Sequence, residues 1–544
     1  MRLSTSQVFT SNVSGYQKGY SEIVKTQQQL SSGVRIQTPA DDPVGAARLL
    51  QLEQQSSELG QYSTNLTTAT NSLTQEEGVL TSVTNVLQRA RELAVRAGNG
   101  SLSDNDRTSI SSELEQIQTQ LMNLMNSKDS SGQYLFSGSN SGTQPYIQNP
   151  DGTYTYQGDQ GALGLQVASS TRMSINDSGW SVFENVTNAS RTYSDAPTRD
   201  YTDPDTGVAV TGPVAAGDQR VFLSQGLVQN DSKYNDSFRA GSPYTLELVS
   251  STQFRITDSA GVDVTSEASA TNGSFDPTAI DGNTVTFRGV SLELDVALKE
   301  NDNSSDTSLD NLLTGYSFDF GMAPDEFAVT RSATNTSSAQ MTASVANQNA
   351  YTTHFPANGV IVQFSSATAY SVYAQPMKAG DAAISTGTLG ATFPQTISAG
   401  GVDMTISAVP ANGDQFTLQP KSQQTQGILE TISNLTAALK TPTSGDTAAQ
   451  LALRDAVASA ITNLDKGSNQ VLATQASIGA RLNTIDVLST ENETLSITNK
   501  STQSDIRDTD MAAATTQLVL QQTMLEAAQA SFIKISQLSL FDKM

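Results

Sequence analysis

The chain contains no cysteine and only one histidine among its 544 residues. Without cysteine it forms no disulfide, no thiolate metal site and no thiol nucleophile. The single imidazole, His354, cannot build a histidine metal cluster, and no Gly-rich phosphate loop follows a strand. We therefore expect no catalytic residue, no cofactor and no metal ligand, and an enzyme is the least favoured class of function.

Basic residues are scarce as well. Lys and Arg number 30 against 54 Asp and Glu, which gives a net charge of −24. A surface of that sign disfavours nucleic acid and anionic membranes as partners. No apolar run approaches the roughly 18 residues of a membrane span. Residues 1–10 lack the basic and apolar regions of a secretory signal, so we expect neither membrane insertion nor a cleaved signal peptide.

What the sequence does contain is heptad periodicity at both ends. Apolar residues recur at every seventh position within residues 1–128 and again within 421–544. A helix patterned in this way presents a narrow seam that another helix must cover. The two seams are predicted to meet in one helical rod. The predicted core residues of the rod are Leu52, Leu59, Leu66, Leu73, Leu80, Leu87, Val457, Leu464, Val471, Ile478 and Ile485.

The seam of the first helix, expected over residues 5–31, is followed by a stop and a restart. Gly33 can adopt the left-handed conformation that ends a helix. Asp41 or Asp42 can cap the next helix, and Pro43 suits its first turn because proline has no N–H to satisfy. That second helix is expected to reach about residue 97. A long C-terminal helix is expected to end near Leu495.

Between the helical ends the periodicity changes to strands and turns. Two segments look like copies of one β unit. One contains Val228, Asn230, Tyr234 and Phe238, and the other contains Val345, Asn347, Tyr351 and Phe355 at the same spacing. Residues 191–217 are rich in Pro, Asp, Thr and Gly and are expected to form a loop or linker.

The predicted fold class is multidomain α+β, with a long coiled-coil-like helical bundle built from both termini and inserted, internally duplicated all-β domains. The predicted divisions are an N-terminal helical half (1–130), a β-hairpin and loop region (131–218), a first β domain (219–300), a linker and strand region (301–341), a second β domain (342–420) and a C-terminal helical half (421–544).

Short motifs at both ends are distinctive. They are Leu-Ser-Ser-Gly-Val-Arg-Ile at 30–36, Pro-Ala-Asp-Asp-Pro at 39–43, Asn-Gly-Ser-Leu-Ser-Asp-Asn-Asp-Arg at 99–107, Gly-Gln-Tyr-Leu-Phe-Ser-Gly at 132–138, Ser-Ile-Gly-Ala-Arg-Leu-Asn at 477–483, Ser-Asp-Ile-Arg-Asp-Thr-Asp at 504–510 and Leu-Ser-Leu-Phe-Asp at 538–542. Together they resemble the terminal signatures of the flagellin superfamily. The Asp-Asp-Pro form and the Leu-Ser-Leu-Phe-Asp ending are more similar to its hook–filament junction members than to filament flagellins.

The resemblance implies a structural, extracellular subunit of the bacterial flagellum that takes part in motility without catalysis. It implies export through the flagellar type III channel and an oligomeric ring of identical subunits. The other implied partners are hook-associated protein 1, flagellin and a flagellar export chaperone. It also implies that the outermost helices make the polymerisation or chaperone contacts, through Phe9, Val13, Tyr16, Tyr20, Ile23, Leu30, Met511, Leu518, Leu525, Phe532 and Ile535.

Two alternatives remain open. A filament flagellin would share the same architecture and differ in copy number and position. A secreted adhesin or binding protein would use the β repeats to bind glycan or host protein, with the helices only as an anchor.

Overall fold

The computed structural model describes residues 5–541 except 150–151, 203–208, 216–217, 270, 280–281, 300–301, 303–305, 333, 379, 422 and 445. The helices are α1 (Thr5–Ser32), α2 (Pro43–Ala97), α3 (Asp104–Met125), α4 (Asp231–Lys233), α5 (Arg239–Gly241), α6 (Asp306–Leu313), α7 (Gln348–His354), α8 (Ile428–Lys440), α9 (Thr447–Arg507) and α10 (Met511–Phe541). Short π-helical turns cover Trp180–Glu184 and Tyr234–Phe238, and 3-10 turns cover Thr265–Glu267 and Thr271–Gly273.

The strands occupy the middle of the chain. They are β1 (Tyr146–Gln148), β2 (Tyr154–Tyr156), β3 (Gly164–Ala168), β4 (Thr171–Ser174), β5 (Thr192–Ser194), β6 (Thr198–Thr202), β7 (Ala209–Pro213), β8 (Val221–Leu223), β9 (Leu227–Val228), β10 (Tyr244–Ser250), β11 (Gln253–Thr257), β12 (Asn283–Phe287), β13 (Val290–Val296), β14 (Tyr316–Met322), β15 (Glu326–Arg331), β16 (Met341–Val345), β17 (Val360–Phe364), β18 (Ala369–Ala374), β19 (Ser385–Thr388), β20 (Gln395–Ala399), β21 (Val402–Ile406) and β22 (Gln415–Lys421). The paired strands are antiparallel throughout. The multidomain α+β fold predicted from the sequence is confirmed.

The chain divides into two compact units. Unit 1 consists of Met1–Glu76, Ala162–Asn176 and Ala476–Met544, and unit 2 consists of Glu77–Gly161 and Asp177–Gln475. Helices α2 and α9 each contribute residues to both units. Unit 1 is therefore assembled from the two ends of the chain together with the β3–β4 hairpin.

In unit 1 the hairpin is joined to the long helices by side chains that bond backbone carbonyls. Asn65 of α2 donates to the Gln166 carbonyl at 2.7 Å, and Arg481 of α9 donates to the Ser174 carbonyl at 3.2 Å. Val167 and Met173 are buried. The hairpin thus buries apolar side chains in unit 1, and the helices supply donors to two of its backbone carbonyls.

The helical part of unit 2 packs α3 against α8. A capping box starts α3, because the Ser103 side chain accepts from the Asp106 N–H and Asp106 accepts from Ser103 in return. Gln118 of α3 donates to the Leu429 carbonyl of α8 at 3.0 Å. Apolar residues at helical spacing on both helices are fully buried, for example Leu114 and Ile432.

The first β unit contains two sheets around an aromatic core. The larger sheet has the order β11-β10-β14-β6-β7, with β5 also paired to β14. In the smaller sheet β12 and β8 flank β13, and β9 also pairs with β13. Phe238, Tyr244, Phe287 and Phe320 are buried together, with ring centroids 5.0 to 6.3 Å apart.

The second β unit repeats this arrangement. The hairpin β17–β18 and its partner β22 correspond to β10–β11 and β14, and the hairpin β20–β21 corresponds to β12–β13. Asn230 and Asn347 each cap a short helical segment by accepting a backbone N–H three residues later. Gly289 and Gly401 have φ values of 87° and 82°. The N–H groups of Asn230 and Asn347 donate to these glycine carbonyls. The duplication thus extends from sequence spacing to strand pairing.

Two expectations from the sequence were wrong. Helix α9 does not end near Leu495 but continues to Arg507, because its heptads continue with asparagine in place of apolar residues. Residues 191–217 are not simply a loop, since they contain β5, β6 and β7. There, strand pairing with β14 overrides the local turn propensity of a Pro- and Gly-rich sequence.

Within the part of the chain that the structure describes, no helix has the length and hydrophobicity needed to cross a membrane. Across those same residues, no group of three or more acidic or histidine side chains is placed to hold a metal ion.

Candidate assembly surface

The heptad ladders of α2 and α9 form buried seams in each unit. Ten of the eleven predicted rod residues are buried, and Leu52 is half-buried. In unit 2 the two helices are joined beside the seam by an ion pair between Arg91 and Asp465 at 2.5 Å. Gln475 also donates to the Thr81 hydroxyl at 3.0 Å. Complete burial of one leucine is worth about 1.5–3 kcal/mol, so these ladders hold the two long helices together.

In unit 1 the same heptad register continues with two asparagines. Asn492 and Asn499 follow Ile485 at intervals of seven residues. The side-chain amide of Asn492 donates to the Leu59 carbonyl at 2.9 Å, and that of Asn499 donates to the Leu52 carbonyl at 3.0 Å. A buried amide at a seam position accepts only a neighbour in the correct register. These two side chains therefore set how α2 and α9 align in unit 1.

The turn between α1 and α2 is held by both predicted aspartates, in different ways. Asp42 is the helix cap, since its carboxylate accepts from the Gly45 N–H at 2.9 Å. Asp41 instead closes the turn by accepting from the Thr38 N–H at 2.9 Å and pairing with Lys25 at 2.7 Å. The bond from Lys25 and the Thr38 N–H lower the pKa of Asp41 to about 2. Asp41 is thus a partner of α1, whereas Asp42 begins α2.

The same turn is joined to the end of α9. The Arg35 N–H donates to the Arg507 carbonyl at 2.6 Å, and the Thr509 N–H donates to the Gly33 carbonyl at 2.9 Å. Gly33 has a φ of 72°, which favours glycine. The two chain reversals, at 33–42 and 508–510, are therefore paired through their backbones.

Helices α1 and α10 pack against each other through a narrow set of contacts. The Tyr16 hydroxyl donates to the Ala528 carbonyl at 2.8 Å, and the Tyr16 ring meets Phe532 edge-to-face at 5.6 Å. The Thr26 hydroxyl lies 2.9 Å from the Gln521 amide oxygen. Between the helices lies a groove of about 420 Å³, lined partly by Gly15 and Gly19. The pair is joined, but it is not closed by a continuous apolar core.

The predicted polymerisation or chaperone contacts fall into three groups. Ile23 is buried between the helices of unit 1. Tyr20 and Met511 are exposed. The half-buried members are Val13, Tyr16, Leu30, Leu518, Leu525 and Phe532. The side chains of Phe9 and Ile535 lie outside the described residues.

A second apolar face of α10 was missed by the heptad analysis. It lies beside the stripe of Leu518, Leu525 and Phe532, and Met524 on it is 62% exposed. Where the structure describes the side chains of unit 1, the exposed large apolar residues are Tyr20, Val44, Leu50, Val487, Leu495, Ile497, Met511, Val519, Leu520, Met524 and Ile533. The signal was present in the sequence, because apolar residues at 519, 520, 524 and 533 make α10 apolar on two sides.

We refer to these eleven exposed residues as the assembly surface. They lie on four helices of unit 1, α1, α2, α9 and α10, and exposed apolar surface of this kind suits a binding interface. Its composition is suited to helix-on-helix packing, since it contains aliphatic and Met side chains and a single aromatic.

In sequence, the chain is similar to flagellar proteins. A family model for the bacterial flagellin N-terminal helical region matches residues 3–141. That segment contains α1, α2 and α3, and therefore the N-terminal half of the helical architecture.

Two curated relatives share longer segments. Flagellar hook-associated protein 3 of Salmonella typhimurium is 38% identical over 187 residues, which cover 34% of this chain and 58% of that protein. The chain thus spans less than two thirds of this relative's length. Phase 1 flagellin of Salmonella naestved is 28% identical over 292 residues, covering 53% of this chain and 54% of that protein.

A solved structure of similar extent is the flagellar hook-associated protein 3 of Legionella pneumophila. It covers 84% of this chain and 98% of its own, with 20% sequence identity and a TM-score of 0.46. We draw no functional conclusion from this structural similarity. The functional proposal depends on the sequence similarity and on the assembly surface.

Proposed function

We propose that this chain is a structural subunit of the bacterial flagellum, a hook–filament junction protein that connects the end of the hook to the flagellin filament. The observation that carries the proposal is the assembly surface, eleven apolar side chains on α1, α2, α9 and α10 that are exposed in the single chain. The 38% identity to a protein named hook-associated protein 3 supports it.

The mechanism follows from the balance between burial and ordering. Covering apolar surface stabilises an assembly by about 25 cal/mol per Å², while fixing the backbone costs about 1–2 kcal/mol per residue. The gain is realised only when neighbouring helices cover Val519, Leu520 and Met524 together. Assembly through unit 1 is therefore cooperative, and the helices α1 and α10 gain most of their stability on joining the polymer.

The partners follow from the same proposal. Other copies of the chain form a ring, hook-associated protein 1 lies below it and flagellin lies above it. Before assembly an export chaperone covers α10, because a free apolar helix face would otherwise aggregate. The chain is exported through the flagellar type III channel and functions outside the cell.

The six-part division of the chain belongs to this proposal. The helical halves, 1–130 and 421–544, supply the polymer contacts. The two β domains, 219–300 and 342–420, are the duplicated part, and the segment 301–341 contributes β14 to the sheet of the first and β15 to the sheet of the second.

A filament flagellin is the second candidate. The 28% identity to a flagellin over 292 residues favours it, because that similarity covers more of this chain than the similarity to the junction relative does. The two functions differ in where the protein lies along the flagellum.

The first experiment deletes the gene and labels the protein in the parent strain with immunogold for electron microscopy. We expect hooks without filaments in the deletion and label confined to the hook tip in the parent. Label along the whole filament would make the protein a flagellin. Intact filaments in the deletion, with no label on them, would overturn the assembly function and favour an adhesin.

The second experiment tests the helix faces directly. Leu518→Asp combined with Leu525→Asp is expected to abolish incorporation, since two buried carboxylates would lie in the helix interface. Gln522→Asp combined with Gln529→Asp adds the same charge to exposed polar positions of the same helix and is expected to be tolerated. Normal motility of the leucine variant would contradict the proposal.

A further inference from the structure

The second β domain, residues 342–420, is almost uncharged within a strongly acidic unit. Unit 2 has 19 basic and 40 acidic residues, a net charge of −21. The first β domain has 6 basic and 11 acidic residues within 219–300. The charged residues of the second are Lys378, Asp381, Asp403 and Asp414. Asp414 is buried and accepts the backbone N–H of Thr336, so only three charges remain for its surface.

The two copies also differ at the edge of their larger sheet. In the first β domain, strand β11 is covered, because Val264 donates to the Ile256 carbonyl and Phe275 donates to the Thr252 carbonyl, both at 2.9 Å. The exposed ion pair of Arg255 with Glu247 adds charge beside that edge. The first copy therefore protects its edge with a loop and with charge, which are two of the devices that prevent strands from pairing between molecules.

In the second β domain the corresponding strand, β18, pairs instead with an additional strand, β19. Strand β19 ends the sheet and has no second strand partner among the described residues. It reads Ser-Thr-Gly-Thr and carries neither charge nor proline. Ile384, directly before it, is 43% exposed, and the neighbouring Met377 is 38% exposed. The second copy thus leaves open an edge that the first copy covers.

Charge decides what such an edge can contact. Copies of an acidic protein that lie side by side repel each other wherever their charged surfaces meet, and like charges placed opposite each other weaken an interface. The loop that leads into β19 carries two exposed charges of opposite sign, Lys378 and Asp381, and β19 itself carries none. This surface therefore has no net charge and avoids the cost, and an open strand edge supplies backbone hydrogen bonds in addition. Among the β regions, the edge of the second domain therefore suits contact with an identical, equally acidic neighbour.

We propose that strand β19 and Ile384 form a contact surface for a second copy of this chain in the assembled structure. The inference rests on the proposed function, which places identical subunits next to one another in a ring. It adds a contact outside the helical ends and assigns different roles to the two β domains, since the first domain keeps its corresponding edge closed.

The test places a photo-crosslinking benzoylphenylalanine at Thr386, an exposed residue of β19, in the full-length chain. Isolated hook–filament assemblies are irradiated and the products are identified by mass spectrometry. We expect a product of twice the chain mass that contains only this protein. The same amino acid at Ser259, exposed in the first β domain, is the matched control and is expected to give at least about tenfold less product.

Other outcomes overturn the inference. A crosslink from 386 to a different protein would replace the second copy by that partner, and equal yields at 386 and 259 would remove the special role of β19. Absence of a crosslink from a chain that immunogold places at the hook tip would refute only this contact. A chain absent from the flagellum would instead refute the proposed function.

A second variant tests the edge strand β19 itself, in case the crosslinking residue at 386 disturbs it. Thr386→Lys combined with Thr388→Lys, in a chain with the crosslinker at Ile384, is expected to lower the yield of the double-mass product about tenfold. Unchanged secondary structure of the free variant would show that it still folds. An undiminished yield would show that the edge is not the contact.

Discussion

The two units of the chain differ in how many apolar side chains they leave exposed and in their net charge. Among the residues that the structure describes, unit 2, which has 384 residues in all, encloses aromatic cores and has eight exposed large apolar side chains, whereas unit 1, which has 160, has eleven. Unit 1 has 11 basic and 14 acidic residues, so its net charge is only −3, against −21 for unit 2. A nearly neutral surface rich in exposed hydrophobic residues can be covered by other helices without repulsion. Unit 2 therefore encloses its apolar side chains more completely than unit 1, which under the proposed function is completed by neighbouring subunits.

This difference predicts unequal responses to the loss of apolar side chains. Phe320 is fully buried among Phe238, Tyr244 and Phe287 in unit 2. Its replacement in Phe320→Ala is expected to lower the free energy of unfolding of the first β domain by about 3–5 kcal/mol. Leu525→Ala, at a half-buried position of α10, is expected to cost less than about 1 kcal/mol in the free chain, because its removed atoms are partly in water already.

Hydrogen exchange measured by mass spectrometry resolves both effects within one protein. Exchange in β10 reports on the first substitution, and exchange in α10 reports on the second. Wild-type α10 is also expected to exchange much faster than β10 before assembly. Equal protection of β10 and α10 in the free chain would contradict the expectation that unit 1 is less stable than unit 2 before assembly.

The next effect concerns the asparagines that align α2 and α9 in unit 1. Asn499 is only 5% exposed, and its amide donates to the Leu52 carbonyl at 3.0 Å. Asn492→Ala combined with Asn499→Ala is expected to destabilise unit 1 by about 1–3 kcal/mol, since each truncation removes a partly buried hydrogen bond. Asn483→Ala, at an exposed position of the same helix, should have no measurable effect. Amide exchange in residues 476–507 would rise only in the double variant.

These asparagines show where prediction from sequence succeeded and where it did not. The apolar heptads from Leu59 to Leu87 identified the seam, because helical periodicity is a local property of the sequence. The same register continues through Asn492 and Asn499, but polar residues do not appear in an apolar pattern. The predicted α9 therefore ended too early, near Leu495 instead of Arg507. The partner of each amide is a carbonyl more than 400 residues away in the chain.

The β region shows the same limit in another form. Spacing alone revealed the duplication, since Asn230 and Asn347 cap equivalent turns in the two copies. It could not reveal β6, which pairs with β14 more than 100 residues further along the chain, or β7, which pairs with β6. The assembly surface was half predicted, because the stripe of Leu518 and Leu525 was identified and the adjacent face of Val519 and Met524 was not.

A third prediction uses a carboxyl group found in unit 2. Burial raises the pKa of Glu184 to about 7, and Glu430 adds to the increase, while Tyr146 and Lys421 oppose it. An unfolded glutamate titrates near 4.3, so the folded state binds more protons between about pH 4.5 and pH 7. The free energy of unfolding of unit 2 should therefore fall as the pH rises through that window.

Glu184→Gln removes this dependence and is expected to stabilise unit 2 at pH 8 by roughly 1–2 kcal/mol, a value reduced for partial exposure to solvent. Denaturant unfolding followed by the fluorescence of Trp180, a neighbour of Glu184 in unit 2, measures it at pH 5 and pH 8. Glu326→Gln, at an exposed position of unit 2, is the control. A variant whose stability changes between the two pH values as much as the wild type does would refute the assignment.

The smallest expected effect lies in unit 1 and has the opposite sign. The pKa of Asp41 is lowered to about 2 by Lys25 and the Thr38 N–H, below the value near 3.9 of an unfolded aspartate. Its contribution to stability is therefore present above about pH 4 and disappears as the pH falls towards 2.

Asp41→Asn is expected to speed amide exchange at Gln37 and Thr38 at pH 6, with the difference from the wild type shrinking as the pH is lowered towards 3. Asp505→Asn, exposed in α9, should leave these amides unchanged at every pH. A difference that grows on acidification would mean that Asp41 acts through something other than its charge. The opposite pH dependence of unit 1 and unit 2 would then not hold.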